Sequence, residues 1–167
     1  NPWLEWKSSG GSDLAFPYGM AMYLVFVPAF LVGDFLSVPP YFSYFLTIFV
    51  IELLLFISLA KLMNGHIRMI TVLFWFSPVN LVGLYFYGFN DIVPVTFLFL
   101  SVWFLCNHKW LISGILLAFA VSAKLSMMIA CPIILLYFLR NSNLRGYVKR
   151  FAFGFLVSMA ILSGAYL

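Results

Sequence analysis

Charge is what this sequence is short of. Of 167 residues, nine are Lys or Arg and five are Asp or Glu, together 8% of the chain, where a soluble domain carries roughly a quarter. Hydrophobic residues make up 65% and the mean hydropathy is +1.08. No water-facing fold of this size can hide that much apolar surface, so the solvent for most of the chain is lipid. The net charge of +4 does not describe a nucleic-acid binder, because the basic residues are few and lie between apolar runs. Cysteine is also scarce. Cys106 and Cys131, in or beside apolar runs, are too few for a disulfide framework and are expected to pack as small hydrophobes. His66 and His108 each sit beside basic residues with no second ligand at a metal spacing, so no histidine metal site is expected. There is no Walker loop, no glycine-rich dinucleotide fingerprint and no nucleophile elbow. No signal peptide is expected to be found in it. A first residue that is Asn and a last apolar run that stops at Leu167 read as a fragment of a longer polytopic protein, truncated at both ends.

Apolar runs fill most of what remains. The first spans 18–37, is interrupted by Pro28 and ends near Asp34, before a turn at Ser37-Val-Pro-Pro40. The second, 41–62, is long enough at 1.5 Å per residue to cross a roughly 30 Å hydrocarbon layer. A short basic loop with Lys61, His66 and Arg68 separates it from a third run over about 69–87, and a fourth covers about 92–106. Residues 110–139 are divided by Lys124 into pieces that are short for two crossings and long for one. The most basic segment, NSNLRGYVKR (141–150), precedes a final run from Phe151. The pattern predicts an all-α, polytopic transmembrane helical bundle of about six to seven membrane segments. It forms one domain over 1–167, with 1–17 an outer-loop-like segment and 18–167 the helices.

Short loops rich in Lys and Arg stay cytoplasmic, which places 140–150 inside. If 110–139 crosses twice, Lys109 and the Lys61/Arg68 loop are inside as well, and the turn at Asp91 is outside. If it crosses once, that turn is inside. The first arrangement is preferred because three basic loops then agree. It conflicts with simple alternation for 1–17, unless run 18–37 does not fully cross.

The organising stretch is WFSPVNLVGLYFYGFNDIVP (75–94), where Pro78, Asn80, Gly88, Asn90, Asp91 and Pro94 interrupt two apolar runs. Asp91 sits where a helix begins, so the simplest reading is an N-cap. A carboxylate at a membrane-surface turn can also hold a hydroxyl or a metal. Glu52, in the middle of FVIELLLF, is an intramembrane ionisable group that needs an interior partner. Lys124 is either an interfacial anchor or, together with Asp91, a site for a phosphorylated lipid. Asp13 and Glu5 are the only carboxylates in the first loop.

The stretch SPVNLVGLYFYGFNDIVPVTFLFLSVWFL, followed by WLISGILLAFAVSAKLSMMIACPIILLYFLR, resembles the GT-C superfamily of integral-membrane glycosyltransferases. The likeness is closest to mannosyltransferase-like members that use polyprenyl- or dolichyl-phosphate sugars. The matching residues are Pro78, Gly88, Asp91, Gly114, Lys124 and Pro132, and AFPYGMAMYLVFVP (15–28) resembles the end of the family's first outer loop. The resemblance implies transfer of a sugar, mannose being one candidate, from a lipid-phosphate carrier to an acceptor hydroxyl of a glycan or lipid, with inversion. It implies an acidic base in the first outer loop. That base is expected upstream of this chain, with Asp13 as a substitute candidate. Asp91, Asn90 and Lys124 are implied as substrate-binding residues. The expected partners are the bilayer, the lipid-linked sugar donor and the acceptor, in a bacterial plasma membrane or the endoplasmic-reticulum membrane. No resident cofactor is identified, and use of a divalent cation is left open. The rival readings are a transporter or flippase, with Glu52, Asp91 and Lys124 along one pathway, and a non-catalytic membrane assembly subunit.

Overall fold

A computed structural model describes Ser8 and residues 18–63 and 66–164. Among the described residues there is no strand, and seven apolar helical segments follow one another. They are α1 (Met20–Phe35), α2 (Pro40–Leu62), α3 (Ile67–Trp75), α4 (Pro78–Phe86), α5 (Ile92–Cys106), α6 (Trp110–Ala123), α7 (Leu125–Arg140) and α8 (Val148–Gly164), with α3 and α4 making up a single segment. Helix α2 and the stretch Asn143–Gly164 are long and apolar enough to cross a membrane. The pair α3–α4, bent by 41°, forms a third candidate as one broken span. The other four helices are shorter. The chain is an integral membrane protein with an all-α bundle.

Local chemistry accounts for the breaks. Pro78 cannot donate a backbone N–H, so it starts α4 instead of continuing α3. The Phe74 carbonyl, which Pro78 cannot serve, accepts the Ser77 N–H at 3.3 Å and Asn80 Nδ2 at 3.0 Å. These bonds satisfy a group that lipid could not. Both sides of this break, Thr71–Trp75 and Leu81–Phe86, are π-helical. Helix α6 ends where Lys124 adopts an extended conformation (φ −150°, ψ 117°). Leu125–Ile129 is then a 3-10 stretch, and Pro132 sits in the first turn of the α-helical part of α7 (Ala130–Arg140).

The bundle has two chemically different ends. Trp110, which opens α6, packs against Phe138 near the end of α7 (5.7 Å between rings) and against Tyr147 before α8 (5.1 Å). The chain therefore reverses at Lys124, and residues 110–140 run out and back. Lys61, at the close of α2, lies over the Trp103 ring (5.9 Å), and Lys109 lies over Phe104 (5.8 Å). The basic loops at Lys61, Lys109 and 140–150 thus share one end, ringed by Trp and Tyr as at a membrane interface. Asp91, at the start of α5, and Lys124 share the other end.

Helix α1 keeps both its ends at the Asp91/Lys124 side. At its start, the Gly19 N–H donates to the Ala123 carbonyl (3.4 Å) and the Ala21 N–H to Ser122 Oγ (3.3 Å). Near its close, Gly33 abuts Ser43 in the first turn of α2. Tyr44, the next residue, donates its hydroxyl to the Gly88 carbonyl at 2.5 Å. Run 18–37 therefore does not cross, and Tyr18 and Pro40 fall on the same side. This removes the conflict with simple alternation.

Polarity is turned inward. Leu31, Phe35, Val79 and Phe86 are more than half exposed to the surroundings, while Glu52, Ser101 and Ser113 are fully buried. Ser101 Oγ donates to the Ser113 carbonyl at 2.8 Å, which joins α5 to α6. Helices α6 and α8 touch backbone to backbone. A Cβ on Gly114 would stand 2.1 Å from the Phe151 carbonyl oxygen, and one on Gly154 would stand 2.4 Å from that of Leu111. Small residues permit this approach where lipid supplies no hydrophobic force between helices. Cys106 and Cys131 are unpaired thiols, and Cys106 is exposed rather than buried as expected.

Two outcomes follow. Gly114→Val should lower stability in detergent by about 2–3 kcal/mol through overpacking, read as a fall in melting temperature. Gly146→Ala should change it little, since no heavy atom of the described residues lies within 4 Å of the added carbon. In sealed microsomes, a membrane-impermeant maleimide should reach Cys106 directly. It should reach an introduced Ser126→Cys only after permeabilisation. Labelling of both from one face would refute the two-ended arrangement.

Candidate functional site

The turn between α4 and α5 is set by Gly88. Its φ of +66° is a region that L side chains occupy only at a cost of roughly 1–2 kcal/mol. Above the turn, the Phe89 N–H bonds the Gly83 carbonyl (2.9 Å), and a Cβ on Gly83 would press to 3.3 Å on the Phe89 ring. Asp91 then opens α5. Its side chain makes no cap hydrogen bond, so the N-cap reading does not describe what this carboxylate does. It reaches across to α6, where Lys124 Nζ donates to Asp91 Oδ1 at 2.6 Å.

Lys124 is held twice. Its backbone forms an antiparallel bridge with Tyr18, and its ammonium pairs with Asp91. Asp91 is 54% exposed and Lys124 26%, so the pair is open at the end of the bundle opposite the basic loops. An exposed ion pair contributes only about 0–1 kcal/mol to folding, which is little reason to keep two charges here for stability. An ammonium has three donors. One serves Asp91, and the others can meet phosphate oxygens as a point charge. Asp91 Oδ2 can accept a hydroxyl proton or hydrogen bond.

Beside the pair lies an apolar groove of about 230 Å³ whose walls include Leu55, Phe74, Asn80, Phe89 and Asp91. It joins a carboxylate at its mouth to hydrocarbon-like walls. Asn90 lies half-buried next to Asp91 and gives its carbonyl to the Val93 N–H at 3.1 Å. Asp13 and Glu5 lie outside the described residues. The segment that carries them joins the described part at Tyr18, directly beside Lys124.

Glu52 is not part of this cluster. It is wholly buried in α2, where Oε2 accepts a hydrogen bond from the Tyr85 hydroxyl and Oε1 has no partner among the described residues. The sequence supplied the carboxylate without its partner. The only available signal was that a tyrosine in an apolar helix, here in LYFYGFND, needs somewhere to place its hydroxyl. Tyr44, whose hydroxyl meets the Gly88 carbonyl, was missed for the same reason. Among the described residues, no three His, Cys, Asp or Glu side chains gather around a point that could hold a metal ion.

The family model described as ALG3 protein matches residues 21–166. No curated protein and no solved structure matched the chain.

Gly88→Ala should cost roughly 1–2 kcal/mol of stability. It should also reduce activity more than Gly164→Ala, a substitution that meets nothing within 4 Å among the described residues. Equal behaviour of the two variants in a paired melting and turnover measurement would mean that the turn does not position Asp91.

Proposed function

The chain belongs to the ALG3 family of membrane glycosyltransferases, and from that premise we propose that it takes part in transferring mannose from dolichyl-phosphate mannose to a glycan hydroxyl at the endoplasmic-reticulum membrane. The observation that carries this reading is the Asp91–Lys124 pair. It is a cation and a carboxylate 2.6 Å apart, open at the end of the bundle that the positive-inside bias assigns to the non-cytoplasmic side, with an apolar groove beginning at Asp91.

The reaction is a single displacement with inversion. A carboxylate removes the proton from the acceptor hydroxyl, and that oxygen forms a bond to the anomeric carbon. The bond from the anomeric carbon to the phosphate oxygen breaks, and dolichyl phosphate leaves with the electron pair. Lys124 balances the charge that gathers on the phosphate, a role suited to a fixed cation beside a developing anion. Asp91 holds Lys124 in place and accepts a hydroxyl of donor or acceptor. Asn90 stands beside it as a further donor contact. The base belongs to the loop before Tyr18, with Asp13 as one candidate. The isoprenoid tail of the donor suits the groove lined by Leu55, Phe74 and Phe89.

A transporter would align Glu52, Asp91 and Lys124 along one path. The pair at one end and Glu52 enclosed with Tyr85 in the core favour the transferase reading.

In membranes containing the full-length protein, radiolabelled mannose should pass from dolichyl phosphate to acceptor. Asp91→Asn should lower kcat/KM at least a hundredfold, roughly 2.7 kcal/mol of transition-state stabilisation. Lys124→Ala should lower it by roughly ten- to a hundredfold, with Lys124→Arg milder. Wild-type protein that transfers no sugar, combined with altered solute or lipid passage in Asp91→Asn, would replace this reading with the transporter.

A further inference from the structure

The buried carboxyl of Glu52 requires an explanation that the reaction does not supply. It is fully buried, two turns along α2 from Tyr44, with one oxygen on the Tyr85 hydroxyl and the other without a partner among the described residues. A carboxyl at this depth is expensive, and apolar side chains of similar size commonly stabilise better than buried polar groups. Its partner's location is informative. Tyr85 lies in the π-helical last turns of α4, between the 41° break at Pro78 and the positive-φ turn at Gly88. Neither a broken span nor a π-turn fixes its own end rigidly, because each departs from the regular i→i−4 ladder.

Two side chains of the continuous helix α2 grip this segment. Glu52 takes the Tyr85 hydroxyl below the turn, and Tyr44 donates to the Gly88 carbonyl within it. The Tyr44 ring is itself held by stacking on Phe26 at 5.1 Å and by an edge contact with Phe45 at 5.6 Å. Three residues beyond Gly88 stands Asp91, whose carboxylate must lie within hydrogen-bond reach of Lys124, the extended residue between α6 and α7. We propose that Glu52, acting through Tyr85, is a positioning residue. With Tyr44 it clamps the end of the broken span to α2, so that the Gly88–Asp91 turn presents Asp91 to Lys124 in the geometry that receives the donor's phosphate. This rests on the assignment of Asp91 and Lys124 as the donor site.

Glu52 touches no reacting atom, and its role needs an acceptor oxygen rather than a charge. Glutamine keeps that oxygen, and leucine does not. In the full-length protein in membranes, Glu52→Leu and Tyr85→Phe should each raise the KM for dolichyl-phosphate mannose about tenfold, with kcat changed less than threefold. Glu52→Gln should stay within about threefold of wild type in both. The double variant Glu52→Leu/Tyr85→Phe should be no worse than the poorer single variant, since both remove one contact. Additive losses, or a Glu52→Gln as damaged as Glu52→Leu, would overturn the proposal, the latter because it would mean that the ionisable group itself is used.

A second measurement does not depend on sugar transfer. With Asp91→Cys and Lys124→Cys introduced together and Cys106 and Cys131 replaced by Ser, a short bis-thiosulfonate should bridge positions 91 and 124. The yield should drop at least fivefold when Glu52→Leu is added and recover with Glu52→Gln. An unchanged yield would refute the clamp even if the enzyme proves to be a mannosyltransferase. A reduced yield in a protein that transfers no mannose would keep the clamp and refute the donor assignment.

Discussion

Lys124 is the point on which the arrangement turns. Its backbone leaves the helix and pairs with Tyr18, while its ammonium crosses to Asp91. Without that extended residue, α6 and α7 would be one continuous helix, and the chain would not fold back to bring Phe138 beside Trp110. Without the side-chain pair, the start of α5 and the end of α6 would have no polar tie at the open end. One residue thus sets the topology through its backbone and the chemistry through its side chain.

The surrounding bundle follows from having lipid as solvent. Burying apolar side chains gains nothing against hydrocarbon, so the helices associate through close packing and hydrogen bonds. Gly114 and Gly154 each face a carbonyl of the opposite helix, and Ser101 with Ser113 ties the next pair. Thr47, Ser58 and Thr96 return their hydroxyls to carbonyls one turn back in their own helices, as polar groups in hydrocarbon must. Glu52 is the exception, with one oxygen unpaired among the described residues.

Much of this was legible in the residues. Low charge and long apolar runs dictate a membrane bundle. The polar interruption at 75–94 marked the broken span and the turn, and the isolated charges Asp91 and Lys124 marked the open end. Pro78 and Gly88 signal their local geometry because ring closure and a missing Cβ act on the backbone directly. What stayed hidden was non-local. The hydroxyl partner of Glu52 lies 33 residues away, with no periodic pattern to tie them. The π-helical turns leave no compositional mark. The halt of α6 at Lys124 has no glycine or proline at the break, and Pro132 only shows where the next helix starts. That α1 returns to the side it left depends on contacts of Gly33 and Tyr44 that run length cannot reveal.

Helix α1 has a consequence for the bilayer itself. It is apolar around its circumference, with Tyr23, Leu24, Leu31 and Phe35 all open to the surroundings, yet its two ends stay at one side. Lipid therefore meets this helix along its flank, although the helix does not link one end of the bundle to the other.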